Sequence, residues 1–338
     1  MNPWPGTADS VAAAVAHLRG GGVLGLPTET VYGLAADATQ AAAVARVFAT
    51  KGRPADHPLI VHVADLAAAR PWARDWPVVA ERLAAAFWPG PLTLVLPRGP
   101  QVLAAVTGGQ DSVALRVPAH PLAQAVLRAF GGALVAPSAN RYGQVSPTRA
   151  ADVVTEYGGA VPVLDGGACA VGLESTIVAC LDGRALVLRP GSLTPGMLSR
   201  ASGAEILLAA AGQGPRAPGT TRAHYAPRTP LELVPAAALY ARALALPAAV
   251  VVARSATLRC GLAAQLRERP SSPPLQAMPD EAAAYGRVLY ATLRDLDRLE
   301  ASRLLVEAVP EDEVWGAVRD RLQRAAAAGE VEETVDGR

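Results

Sequence analysis

Lysine is almost missing from this chain. Of 31 basic side chains, Lys51 is the one lysine and the rest are arginine. Asparagine is nearly as scarce, at Asn2 and Asn140 alone. The favoured residues, Ala, Arg, Gly and Pro, have codons rich in G and C, so a scarce type that survives hints at a chemical need. Cysteine occurs three times, at Cys169, Cys180 and Cys260, far apart and without a CxxC pair. That spacing argues against a disulfide framework or a zinc cluster and suits a reducing cytosol. Net charge is +1 and there are three phenylalanines. Neither a basic stripe nor a stacking platform for nucleic acid is therefore predicted, and any RNA contact would be local or shared with a partner. Apolar runs such as "ALALPAAVVVA" are short and interrupted, so no membrane span is expected. "MNPWPGTADS" has no basic segment leading into an apolar stretch, which predicts no secretory signal. GxxxxGK[ST], GxGxxG after a strand and HExxH are all absent, which removes the usual signals for a P-loop, a dinucleotide site and a zinc protease.

What is present is a long chain with much to bury. Its 338 residues, 51% hydrophobic, predict two domains. "TADSVAAAVAHLRGGG" reads as a helix capped by Asp9 or Ser10 and ended by glycine. "VLGLP" reads as a strand and "TETVYGLAADA" as loop and turn, with Thr39 capping the helix "QAAAVARVFATK". Strands follow at "PLIVHVA", "LTLVLP", "SVALRVP" and "ALVAPSAN". Helices fall at "VVAERLAAAFWPG", "PLAQAVLRAF" and "SPTRAADVVTEYG", the last with a capping Ser or Thr. "STIVACL" and "ALVLRPG" read as a hairpin around Asp182-Gly183. Helices alternating with strands and strand pairs predict a twisted, open mixed sheet with flanking helices. The rhythm runs to about residue 205, breaks over the Gly, Pro, Thr and Arg-rich 206–230, and resumes as a smaller α/β unit over 231–338. The end, "GEVEETVDGR", is expected to fray.

Two short stretches carry more than fold. In "KGRP" the simplest account is a helix end, because cations, glycine and proline all suit a C-terminus. It leaves unexplained why lysine stands where arginine is the rule. A compact ammonium approaches a phosphate oxygen as a point charge, which a planar guanidinium does not. In "APSAN" Ser138 and Asn140 follow a strand end. They suit a self-bonded turn, or a ligand site of the kind open α/β sheets carry there. Thr28, Glu29 and Thr30 form a polar cluster. His62, in a strand, could be a satisfied core histidine, the commoner case. Arg116, in an apolar strand, needs a carboxylate, which a substrate would supply.

Taken in order, "LPTETVYGL", "KGRP", "HPLIVHV", "WPGPLTLVL", "ALRVP", "APSAN", "SPT", "ESTIV" and "LRPG" resemble the YrdC/YciO family. With the arm "APGTTRAHYAP" and a following Rossmann-like domain, the chain is similar to the two-domain members that make threonylcarbamoyl-adenylate. The resemblance implies a catalytic domain over 1–205, an arm over 206–230 that closes on the site, and a small α/β domain over 231–338. It implies ATP, L-threonine and bicarbonate as substrates, with Mg²⁺ carried on the ATP phosphates. Downstream transfer proteins would pass the product to a tRNA adenosine beside the anticodon, with at most a weak tRNA contact here. By match of motif, Lys51, Arg53, Ser138 and Asn140 are the catalytic, phosphate-side set. His57, Ser112, Ser146, Arg189 and Tyr225 join them on ATP. Thr30, His62, Arg116, Ala136 and Ser175 form the threonine pocket. The chain departs from the pattern at His57, where asparagine is usual, and at Ala179 and Cys180, where an acidic residue is usual. A double-stranded-RNA-binding module is the alternative that the near-neutral charge disfavours. A carbamoyl-transfer domain of the hydrogenase-maturation type lacks support too, since its zinc-finger and acylphosphatase segments are missing.

Overall fold

The computed structural model describes residues 2–210, 212–256, 258–261 and 273–336. The chain divides into two compact units, Met1–Tyr142 with Ser146–Thr220, and Thr221–Arg338 with Gly143–Val145. The stretch read from sequence as one arm is thus shared. Its residues through Thr220 group with the first unit, where Ala217 is buried among strand residues, and the rest group with the second.

The first unit is built on nine strands: β1 (Leu24–Leu26), β2 (Gly33–Asp37), β3 (Ile60–His62), β4 (Leu92–Pro97), β5 (Ser112–Arg116), β6 (Leu134–Val135), β7 (Thr176–Leu181), β8 (Arg184–Arg189) and β9 (Leu207–Leu208). Their order is β1-β2-β6-β3-β5-β4-β7-β8-β9. The pairs β3/β5, β4/β7 and β8/β9 are parallel and the others antiparallel. This is the open mixed sheet the alternation predicted. The β7–β8 hairpin turns at Asp182 and Gly183, both at positive φ (52° and 71°), as a two-residue hairpin turn demands.

Alternation along the strands separates the two faces. Val113 and Leu115 of β5 point into the main core, while Ala114 packs with Ile60, Val95, Ile177, Ala179 and Ala217 on the other side. Residues two apart share a face, so Ser112 and Arg116 lie with Ala114, and His62 with Ile60. Helices cover the core face. On the opposite face helices Ala8–Arg19 and Pro121–Phe130 pack over Leu24, Leu26, Ala35 and Leu134, and the rest carries small apolar residues and the polar side chains of the site.

Several local expectations are corrected. "TETVYGLAADA" contains strand β2, whose five residues are all buried. Gly and Ala have low strand propensity, and tertiary burial overrides it. The first helix, Ala8–Arg19, is capped by Thr7 and not by Asp9 or Ser10. Thr39 does not cap helix Ala41–Lys51, because its N–H and hydroxyl are both drawn to the Asp37 carboxylate, leaving Gln40 at the cap. Helix Ala150–Tyr157 starts at Arg149, with Asp152 accepting the backbone N–H groups of Thr148 and Arg149, so no Ser or Thr caps it. Of the C-terminal segment expected to fray, residues 329–336 are helical, in helix Gly316–Asp336, and residues 337 and 338 lie outside the described residues.

The second unit has a four-stranded parallel sheet of β10 (Leu231–Val234), β11 (Val250–Ala253), β12 (Leu275–Ala277) and β13 (Leu304–Glu307), ordered β10-β13-β11-β12. At the carboxyl edge, buried Glu307 accepts the backbone N–H of Arg254 and Ser255 and the Ser255 hydroxyl. A side-chain carboxylate thus occupies the loop end where parallel sheets often receive an anion. Within the same unit Tyr225, at φ 60°, stacks on Tyr290 with ring centroids 5.9 Å apart. The Arg321 guanidinium lies 4.9 Å over the Tyr225 ring. Among the described residues no helix is long and apolar enough to cross a membrane.

Candidate active site

Helix Ala41–Lys51 ends at Gly52, whose φ of 63° lets the chain turn and whose N–H bonds back to Ala49 and Phe48. That places Lys51 in the last turn, pointing inward and 2% exposed. Its ammonium donates to the carbonyls of Ser138 (2.6 Å) and Asn140 (2.5 Å), and Tyr142 N–H donates to the Lys51 carbonyl (2.9 Å). It ties the helix end to the "APSAN" loop. Burial, and then the Arg53 charge, hold its pKa well below the usual lysine value.

Arg53 is buried and donates to the Pro58 carbonyl (2.9 Å). The His57 ring meets Tyr142 edge-on at 5.4 Å. Burial and the Arg53 charge lower its pKa from 6.5. Ser146 donates to the buried Glu174 carboxylate at 2.5 Å. Ser112 lines a groove of about 800 Å³ together with Gln110, Gln213 and Pro215. Tyr225 belongs to the second unit, in the stack described above.

On the same sheet face Arg116 already has a carboxylate partner. Its Nη2 donates to Glu29 Oε1 at 2.7 Å and its Nε to the Gly90 carbonyl, leaving Nη1 without a partner among the described residues. Burial pushes the Glu29 carboxyl up. The Arg116 charge and hydrogen bond, with the Ala119 N–H, outweigh it and leave the pKa below the usual carboxylate value. The carboxylate that a buried arginine needs is supplied within the protein by Glu29. Thr28 donates to the Val31 carbonyl at 2.6 Å, so Thr30 donates to Thr28, 2.9 Å away. His62 Nδ1 lies 3.2 Å from the Ile60 carbonyl, which can only accept; Nδ1 carries the proton and Nε2 is left as an acceptor. Ala136 N–H donates to that same carbonyl, so the ends of β3 and β6 meet at Ile60. Ser175 Oγ lies 2.7 Å from Thr93 Oγ1, and Arg189 donates to the Ser175 carbonyl and hydroxyl and to the Pro218 carbonyl.

Residues 16–191 match the Sua5/yciO/yrdC family model, described as telomere recombination. Residues 187–327 match a second model, described as the C-terminal domain of threonylcarbamoyl-AMP synthase. The chain belongs to the Sua5/YciO/YrdC family. The threonylcarbamoyl-AMP synthase of Bacillus subtilis is 35% identical over 94% of this chain and 92% of its own length. That of Pyrococcus abyssi is 35% identical over 94% of both. The crystal structure of P. abyssi Sua5 complexed with L-threonine superposes with a TM-score of 0.80 at 33% identity, covering 94% of each chain.

Of the family positions read from sequence, all but Tyr225 lie in the first unit. Glu29, Glu174 and Thr93 carry the site's internal hydrogen bonds, yet sequence reasoning assigned them no role. The two glutamates stood in motifs already singled out, and their signal was acidic character beside apolar strands. Thr93 had no signal beyond one hydroxyl in "LTLVLP".

His62 makes the fold sensitive to acid. Burial, and then Arg116, push its pKa down to about 3 from 6.5. Between those values the unfolded chain binds a proton that the folded chain does not, so stability falls as pH falls through that window. The slope is at most about 1.4 kcal/mol per pH unit. Urea denaturation at pH 7 and pH 5 measures it. His62→Gln is expected to flatten the difference, and an unchanged difference would assign the sensitivity elsewhere.

Proposed function

We propose that the chain joins L-threonine, bicarbonate and MgATP into threonylcarbamoyl-AMP with release of pyrophosphate. The observation that carries this reading is the pairing of two unlike polar groups in one unit. Arg116 and His62 are register partners, and Thr93, the partner of Arg116 on the next strand, bonds Ser175, so all three lie together on one sheet face. Lys51, with Arg53 in the following loop, is fastened to the Ser138–Asn140 loop, next to the end of β3. The threonine amine and bicarbonate form a carbamate, whose oxygen attacks the α-phosphate in line with departing pyrophosphate. Such transfer depends on positioning and charge neutralisation. Arg116 Nη1 is suited to the threonine carboxylate, and the neutral His62 Nε2 to one of its donors. Lys51, Arg53, Ser138 and Asn140 serve the phosphates. His57, Ser112, Ser146 and Arg189 serve the rest of ATP.

Mg²⁺ enters as part of the ATP substrate. It keeps waters and phosphate oxygens as ligands, which fits a donor set of hydroxyls, an amide and cations. The arm acts as a lid through its residues up to Thr220, which belong to the same unit as the phosphate-side residues. Support in the first unit comes from Gln110, which exchanges two hydrogen bonds with the backbone of Arg216. The product passes in the cytosol to proteins that modify tRNA, with a weak tRNA contact at most. The test is pyrophosphate release from MgATP with threonine and bicarbonate supplied or withheld. Release is expected to need both, and equal release without threonine would sink the reading.

A further inference from the structure

Thr93 is the one hydroxyl in strand β4 and is fully buried, with 0% exposure. Its register partners are Arg116 on β5 and Ile177 on β7, so its side chain lies on the site face beside the arginine. Among the described residues its hydroxyl bonds Ser175 Oγ and nothing else. Ser175 Oγ also receives an N–H from Arg189 Nη2 at 3.2 Å.

Counting protons leaves one hydroxyl proton of the pair over in either direction. A hydroxyl has one proton to give and two lone pairs to fill. If Ser175 donated to Thr93, the Thr93 proton would be left over at a fully buried position with no acceptor among the described residues, a costly arrangement. With Thr93 donating, both lone pairs of Ser175 are filled, by Thr93 and by Arg189. The Ser175 proton is then left over, on the residue that shares the pocket with Arg116. A bound oxygen acceptor relieves it.

We propose that Thr93 is a positioning residue for the amino-acid substrate. It holds the Ser175 hydroxyl as a one-way donor toward an oxygen of the bound hydroxy amino acid. This rests on the function proposed above and goes on to name what orients its threonine pocket.

Thr93→Val keeps the shape and removes the hydroxyl. It is expected to raise the KM for threonine about tenfold, with the KM for MgATP and the melting temperature little changed. Thr93→Ser keeps the hydroxyl and is expected to restore the threonine KM to within about twofold of wild type. Calorimetric titration of each protein with threonine alone reads the same change without turnover. The inference is overturned if T93V leaves threonine affinity unchanged, if it raises both KM values together, or if T93S is impaired as much as T93V. A T93V that melts lower with unaltered threonine affinity assigns the hydroxyl to packing and also overturns it. Wild-type protein whose pyrophosphate release ignores threonine overturns the proposed function itself. Wild-type dependence on threonine combined with an indifferent T93V overturns only the role of Thr93.

Discussion

Lys51→Ala is expected to lower threonine-dependent pyrophosphate release by about 100-fold or more. Two losses combine. The ammonium is the compact charge suited to a phosphate oxygen. It is also the clasp between helix Ala41–Lys51 and the Ser138–Asn140 loop. In the folded chain it is dry, flanked by the Arg53 charge and hydrogen-bonded to two neutral carbonyls, and burial and Arg53 outweigh the attraction of the Glu156 and Glu174 carboxylates. An arriving phosphate adds negative charge directly beside the ammonium, so the site gains from the ligand it is proposed to bind. Removing the side chain leaves two carbonyls short of a donor, a stability loss of roughly 1–3 kcal/mol. Lys51→Arg is not expected to rescue turnover, because the longer planar fork does not fit between two carbonyls set for one nitrogen. Steady-state pyrophosphate release and urea denaturation of both variants measure these effects. A Lys51→Ala protein that retains a third of wild-type turnover would refute the assignment.

The second large effect is expected at Arg116→Leu. The variant leaves Glu29 buried and unpaired, which costs about 3–5 kcal/mol at neutral pH, and removes the guanidinium meant for the substrate carboxylate. The sign of the pH dependence separates this from simple cavity formation. In the wild type Glu29 has a lowered pKa, so its contribution is present above about 4.5 and is lost as pH falls below it. Without Arg116, burial alone governs Glu29 and raises its pKa, so the variant loses stability as pH rises. Urea denaturation of R116L at pH 5 and pH 7.5 is expected to give higher stability at pH 5, after correction for the wild-type slope. R116L/E29L is expected to be more stable than R116L. A double variant less stable than R116L would count against a buried pair.

Much of the fold was legible because local physics carried it. The helix end at "KGRP", the hairpin at Asp182-Gly183 and the period-2 strands follow from turn chemistry and alternation, and each lies where these rules put it. The helix starts were less legible. Thr39 and Ser146 are good capping residues in isolation, but carboxylates at Asp37 and Glu174 claim their hydroxyls. Propensity ranks a residue against water, and here a charged neighbour competes. Strand β2 was missed for a related reason. Its Gly-Leu-Ala-Ala-Asp has weak strand preference, and its place between β1 and β6 is decided by the sheet.

The sequence alone determined which chemistry this chain carries. One lysine kept in an arginine-rich chain and one internal asparagine marked two positions, and the ordered motifs resembled the YrdC/YciO family, which implied a nucleotide-and-threonine enzyme. Only the tertiary structure decided who partners whom. Lys51 reaches the carbonyl of Ser138 across 87 positions, Arg116 reaches Glu29 across 87, and Thr93 reaches Ser175 across 82. Periodicity fixes which face of a strand a side chain occupies. It cannot fix which strand lies alongside, and in this sheet β6 inserts between β2 and β3, and β5 between β3 and β4. That order is set by burial of the whole core, and it gives the lone lysine and the buried arginine their partners.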